Sequence, residues 1–104
     1  MLTGLKTTSV ERVNEIHERI LKLDKDINFR VFPIYIRYLK GDDLFALLYF
    51  NPKDYNELGI ATENKISDRF QDASWMKYKE IKYSIKITNN EDIDKIFQQI
   101  KSNI

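Results

Sequence analysis

The clearest alternation of apolar and polar positions lies near the C-terminus. Ile81, Tyr83, Ile85 and Ile87 alternate with Lys82, Ser84, Lys86 and Thr88. A period of two places the first set on one face of a strand and the second on the other. One face is then buried, and the other meets water or a partner. Thr88 and Glu91 fit a capping box, with Asn89, Asn90 and Asp92 as further acceptors. Glu91, Asp92 and Asp94 fall in the first turn, where the helix dipole favours negative charge. Ile93, Ile96, Phe97, Ile100 and Ile104 follow as one helical stripe. Burying each such side chain is worth about 1.5–3 kcal/mol, whereas the cap adds about 1 kcal/mol. Packing, more than propensity, holds this helix.

The same reading applies to the rest of the chain. Residues 1–7 form a lead-in. Thr8 and Glu11 make a second capping box. Val10, Val13, Ile16, Ile20 and Leu23 predict a helical face through about Lys25, with His17 and Leu21 at its edges. Glu15 with Arg19, and Glu18 with Lys22, are favourable pairs on the outside. Phe29 to Leu39 is rich in β-branched and aromatic residues and predicts a strand. Pro33 interrupts it, so an edge position or a bulge is expected there. Lys40-Gly41-Asp42-Asp43 is a hairpin turn signal. Leu44 to Phe50 is the most apolar run and predicts a central strand buried on both faces. Asn51-Pro52-Lys53-Asp54 makes the next turn, and Glu57 to Ala61 a short strand. Thr62 to Lys79 carries the weakest pattern: one short strand or one helical turn, anchored over the core by Ile66, Phe70, Trp75 and Met76.

Strands joined by short turns give an antiparallel meander, and one sheet face can cover two amphipathic helices. The expected fold is a single α+β domain spanning residues 1–104. It is a two-layer sandwich, mainly an antiparallel meander, with the N-terminal and C-terminal helices packed on one face.

Composition narrows the function classes. The chain has 104 residues, enough for one domain with a real core. Seventeen basic against sixteen acidic residues leave a net charge of +1, so no global field demands nucleic acid or an anionic membrane. Charge is uneven, however. An acidic middle (Asp42, Asp43, Asp54, Glu57 and Glu63 against Lys40 and Lys53) precedes a basic segment. That segment sets Lys65, Arg69, Lys77, Lys79, Lys82 and Lys86 against Asp68, Asp72 and Glu80. The two are complementary, within one fold or between two copies. There is no cysteine, which removes disulfides, thiolate catalysis and cysteine-rich zinc sites. No apolar run approaches the roughly 20 residues of a spanning helix, and the N-terminus lacks a secretory-signal pattern. A cytoplasmic location without membrane contact is expected.

No catalytic constellation emerges. His17 is the single histidine, and Val13, Ile20 and Leu21 occupy the spacings a metal partner would need. Gly4, Gly41 and Gly59 are too scattered for a phosphate loop, and no serine sits in a nucleophile elbow. Asp42-Asp43 is turn chemistry. Glu91, Asp92 and Asp94 lack the glycine of a calcium loop. Glu80-Ile81-Lys82 mimics the end of a nuclease metal motif, but no preceding strand offers its partner aspartate. The chain is expected to be no enzyme, with no metal and no cofactor.

A binding surface is the stronger candidate. Tyr35 and Arg37 share one strand face, Tyr49 lies on the next strand, Trp75 precedes the last strand, and Lys82 and Lys86 share one of its faces. If these converge they form an aromatic-basic patch. Such a patch suits a protein interface rich in aromatics and arginine or the stacking of single-stranded bases. The bland alternative is that the lysines solvate an outer face and the rings fill the core. A third option is a small-molecule sensor pocket under the Thr62–Lys79 connection, lined by Phe70, Trp75 and Met76. The leading expectation is a non-catalytic interaction module, accessory to a larger system, with a protein partner or a second copy of itself as a dimer. Nucleic-acid binding is the alternative.

The order helix, IRYLKGDDLFALLYFNPK, loop, IKYSIKITNNEDIDKIFQQIK resembles a small prokaryotic family, domain of unknown function 5655, often labelled "predicted transport protein". The resemblance spans roughly Thr8 to Ile104. It rests on the turn near Lys40, the turn after Phe50, and the closing strand with its Glu91–Asp94 helix start. It implies a terminal or stand-alone domain and transfers no catalytic residue. The element order is also compatible with small frataxin-like sandwiches, but the first helix is mixed in charge and their iron binding does not carry over.

Overall fold

The computed structural model describes residues 7–50, 55–73, 75–76, 78–88 and 93–103, with the backbone alone at 7–10. The elements are α1 (Thr7–Leu21), β1 (Ile27–Val31), β2 (Tyr35–Lys40), β3 (Asp43–Tyr49), β4 (Asn56–Ile60), β5 (Gln71–Asp72), β6 (Tyr83–Ile87) and α2 (Ile93–Ser102). The strands form one antiparallel six-stranded sheet in the order β1-β2-β3-β4-β6-β5. Both helices pack on one face, so the expected α+β sandwich is the observed architecture.

Period and packing agree across the helix-covered face. Val13, Ile16 and Ile20 of α1 meet Ile36, Tyr38, Ala46, Leu48, Leu58, Ile60, Ile85 and Ile87 of the sheet, with Ile93, Ile96, Phe97 and Ile100 of α2 in the same core. Arg19 ion-pairs with Asp94 and links the two helices, and it also meets Glu15 at 3.5 Å. The helix α1 starts at Thr7, one residue ahead of the expected cap at Thr8, and stops at Leu21, short of Lys25. The Leu23 N–H donates to the Ile20 carbonyl and closes its end. Glu91 of the capping box, with Asn89, Asn90 and Asp92, and the turn at 51–54 lie outside the described residues.

Several boundaries differ from the periodic reading. Phe29 to Leu39 is not one strand. The chain reverses at Phe32-Pro33-Ile34, and Val31 faces Ile36 across a hairpin. The Phe32 N–H donates to the Tyr35 carbonyl at 2.8 Å and closes that turn. A proline has no N–H to give a ladder, so it sits where none is needed. The second hairpin is as expected: Lys40 pairs with Asp43, and Gly41 has φ +63°, the left-handed conformation that favours glycine. The register shifts between Tyr38 and Leu39, and Phe45 is the extra residue on β3. The segment 62–79 contains the short strand β5.

The helix-free face is not bare. Ala73, Met76 and Ile81 pack with Tyr35 and Leu47 in a second, smaller core. Two turns build it: the Met76 N–H donates to the Ala73 carbonyl at 2.9 Å, and the Ile81 N–H to the Tyr78 carbonyl at 3.1 Å. Ile81 therefore belongs to a turn ahead of β6 and faces away from the helices. The alternation that joined it to Tyr83, Ile85 and Ile87 begins only at Tyr83. Trp75 does not anchor the connection to the core; it is 61% exposed.

Candidate interaction face

Strand register builds the helix-free face. Tyr35 of β2 lies opposite Tyr49 of β3, Tyr49 opposite Glu57 of β4, and Glu57 opposite Lys86 of β6. These four side chains form one rung across the sheet. On the next rung Arg30 lies opposite Arg37, Arg37 opposite Leu47, Leu47 opposite Gly59, and Gly59 opposite Ser84.

Aromatic rings run along the first rung. Phe32 stacks on Tyr35 at 4.8 Å with 15° between planes; Tyr35 meets Tyr49 at 5.1 Å, and Tyr49 meets Trp75 at 5.8 Å. The Arg30 and Arg37 guanidinium carbons lie 5.2 and 5.1 Å from the Phe32 ring centre, and Lys86 Nζ lies 5.0 Å from that of Tyr55. These are cation–π distances. The Tyr35 and Tyr78 hydroxyls share a 3.3 Å hydrogen bond. That bond, with burial second, pushes the Tyr35 pKa up to about 12, and burial raises that of Tyr49. Both remain neutral phenols at physiological pH.

A cavity of about 550 Å³ opens beside this row, lined by Ile34, Tyr49, Tyr55, Glu57, Trp75 and Lys86. Glu57 is 8% exposed, and its Oε2 accepts a 2.5 Å hydrogen bond from Ser84 Oγ.

Five of the six residues expected to form the aromatic-basic patch thus share this face: Tyr35, Arg37, Tyr49, Trp75 and Lys86. Tyr35 is mostly buried beneath its neighbours. Lys82 stands apart, its Nζ 2.7 Å from Glu63 Oε2. This pair holds Glu63 below the usual carboxylate range and raises Lys82, and it joins the acidic middle to the basic segment within one chain. Of the three residues expected to line a sensor pocket, only Trp75 reaches the cavity. Phe70 is fully buried on the helix side, and Met76 lies in the smaller core. Residues the periodic reading missed are Arg30, Phe32, Ile34, Tyr55 and Glu57. Glu57 could be placed on a short strand from the sequence, but its position opposite Lys86 comes from the strand register.

Exposed apolar side chains lie at the β1 edge of the sheet and beside the cavity. Phe29, Val31, Ile34 and Trp75 are the large hydrophobic side chains left exposed among the described residues. Phe29 and Val31 belong to β1, which ends the sheet among the described residues; they lie opposite Tyr38 and Ile36 and so project to the helix-covered side, where Phe29 meets His17. Ile34 sits in the adjoining turn. Among the described residues no three His, Cys, Asp or Glu side chains could hold a metal ion together, and no helix is long and apolar enough to cross a membrane. Gln71 and Asp72 also line the cavity. The arrangement offers aromatic faces, carboxyl groups and an ammonium with which to bind. Comparison with protein-family models, curated proteins and solved structures finds no match for this chain.

Proposed function

We propose that the chain is a non-catalytic interaction module that binds a protein, in the simplest case a second copy of itself, along the β1 edge of its sheet. The observation that carries this reading is the placement of Phe29, Val31 and Ile34, exposed on and beside an edge strand that pairs on one side only among the described residues. Exposed apolar edges are templates for strand addition. An antiparallel pairing of two β1 strands about a twofold axis at Phe29 places Phe29 opposite Phe29, Arg30 opposite Asn28 and Val31 opposite Ile27. No like charges oppose one another in that register, which cross-strand pairing requires. Two six-stranded sheets would then join into one. A nucleic-acid ligand is less well supported, because Glu57 and Asp72 place carboxyl groups in the cavity beside the rings and the net charge is +1.

The test is sedimentation over a concentration series from about 1 μM to about 1 mM, a span that covers weak dimers. The mass should rise from monomer towards dimer. Val31→Lys, which puts a charge on the edge, should hold the chain monomeric with its thermal midpoint little changed. A monomer mass across the whole series would remove the reading.

A further inference from the structure

The cavity beside Tyr49 and Trp75 has a chemistry of its own, independent of self-association. We propose that it is a binding site for an organic ammonium group, free or carried on a side chain of a protein partner. Four observations carry this. The floor holds a carboxyl group fixed in place: Glu57, 8% exposed, bonded to Ser84 at 2.5 Å. Tyr49 and Trp75 form two walls, their ring centres 5.8 Å apart and their planes inclined at 53°. The exposed Trp75 ring, braced against Tyr49, offers a face on which a cation can rest, and tryptophan is the strongest such face. The cavity already keeps one cation against a ring, Lys86 over Tyr55 at 5.0 Å. Finally, its charged lining among the described residues is Glu57 and Asp72 against Lys86, two acids to one base, which disfavours an anion. A volume of about 550 Å³ falls within the range of small-ligand sites.

The site is best filled by an ammonium whose methyl or methylene groups contact the rings while its charge faces Glu57. A fully hydrated metal ion would gain little from the rings. Ile34 at the rim adds an apolar contact for the remainder of the ligand.

Trp75 is the single tryptophan of the chain, so its fluorescence reports on the cavity directly. The experiment titrates dilute protein, where any weak dimer is dissociated, with tetramethylammonium, choline and a tripeptide bearing trimethyl-lysine. Sodium chloride at equal ionic strength and 3,3-dimethylbutan-1-ol, the neutral isostere of choline, are the controls. Saturable change is expected with the ammonium probes, with Kd about 1 mM for the small ones, and none with the controls. Glu57→Gln keeps an acceptor for Ser84 and should weaken binding at least about tenfold, or 1.4 kcal/mol. Lys86→Met removes the resident cation and should bind as tightly as the wild type or more so. Tighter binding by choline points to a free amine, and by the tripeptide to a protein side chain. Equal binding of the neutral isostere, loss of binding in Lys86→Met, or no saturable change with any ammonium probe overturns the inference. Because dilute monomer is used, failure of self-association leaves these outcomes readable.

Discussion

Gly59 lies directly beneath Ile81: a Cβ at Gly59 would come within 2.5 Å of Ile81 Cγ2 and 2.8 Å of Met76 Sδ. The contact is the centre of the smaller core on the helix-free face. Gly59→Ala should therefore destabilise the chain by about 1–3 kcal/mol through overpacking, despite alanine's better fit to an ordinary strand. Urea unfolding measures it. An unchanged midpoint would show that the 73–81 segment does not press on the sheet.

His17 Nδ1 and the Tyr38 hydroxyl are 2.7 Å apart, and Phe29 packs edge-on against the imidazole. Burial lowers the His17 pKa from 6.5, against a smaller opposing effect of Glu18. Above pH 6.5 both folded and unfolded chains hold a neutral imidazole, and the contribution to stability is complete. As pH falls below 6.5 the unfolded chain takes up the proton first, so that contribution is lost down to the folded pKa. Thermal midpoints of wild type and His17→Gln should diverge as pH falls below 6.5, the wild type falling more steeply. Parallel curves would contradict the buried, neutral assignment.

Arg12 Nε donates to Asn56 Oδ1 at 2.6 Å, and Asn56 Nδ2 donates to the Tyr49 carbonyl at 3.0 Å. Arg12 and Asn56 are both buried, so the asparagine ties α1 to the sheet. Asn56→Ala takes this acceptor from Arg12 and should cost about 1–3 kcal/mol in chemical denaturation.

Trp75 and Met76 are neighbours with opposite roles. Trp75→Ala should change stability by no more than about 0.5 kcal/mol, as exposed positions do. Met76→Ala should cost about 2–5 kcal/mol, as a buried truncation does. Equal effects in urea unfolding would place both residues in the same environment and contradict the fold of this segment.

Most of the architecture was legible because it rests on period. The isoleucine stripes, the alternation from Tyr83 to Ile87 and the Gly41 hairpin are local patterns. What escaped was non-local or too short to carry a period. Two residues, Gln71 and Asp72, cannot announce a strand. The Tyr78–Ile81 turn resets the parity of Ile81 without a glycine or proline to mark it. A proline inside an apolar run signals both an edge and a turn, and here the turn prevailed. Parity put Tyr35 with Arg37 on one strand face and Lys82 with Lys86 on another, but left open whether these faces converge. Glu57 could not be recognised as their neighbour without the registers of three strand pairs. Lys82 shares Lys86's parity, yet Glu63, distant in sequence, claims it.

The central claim, pairing through β1 about an axis at Phe29, is tested most directly by cross-linking. The chain has no cysteine, so introduced thiols report alone. In the proposed register Asn28 lies opposite Arg30 of the second copy, with Cβ atoms about 4.5–5.5 Å apart. Asn28→Cys mixed with Arg30→Cys should form a disulfide-linked heterodimer under mild oxidation far faster than either variant forms a homodimer. Equal rates for the mixture and the separate variants, or no cross-link at the highest concentration, would contradict it.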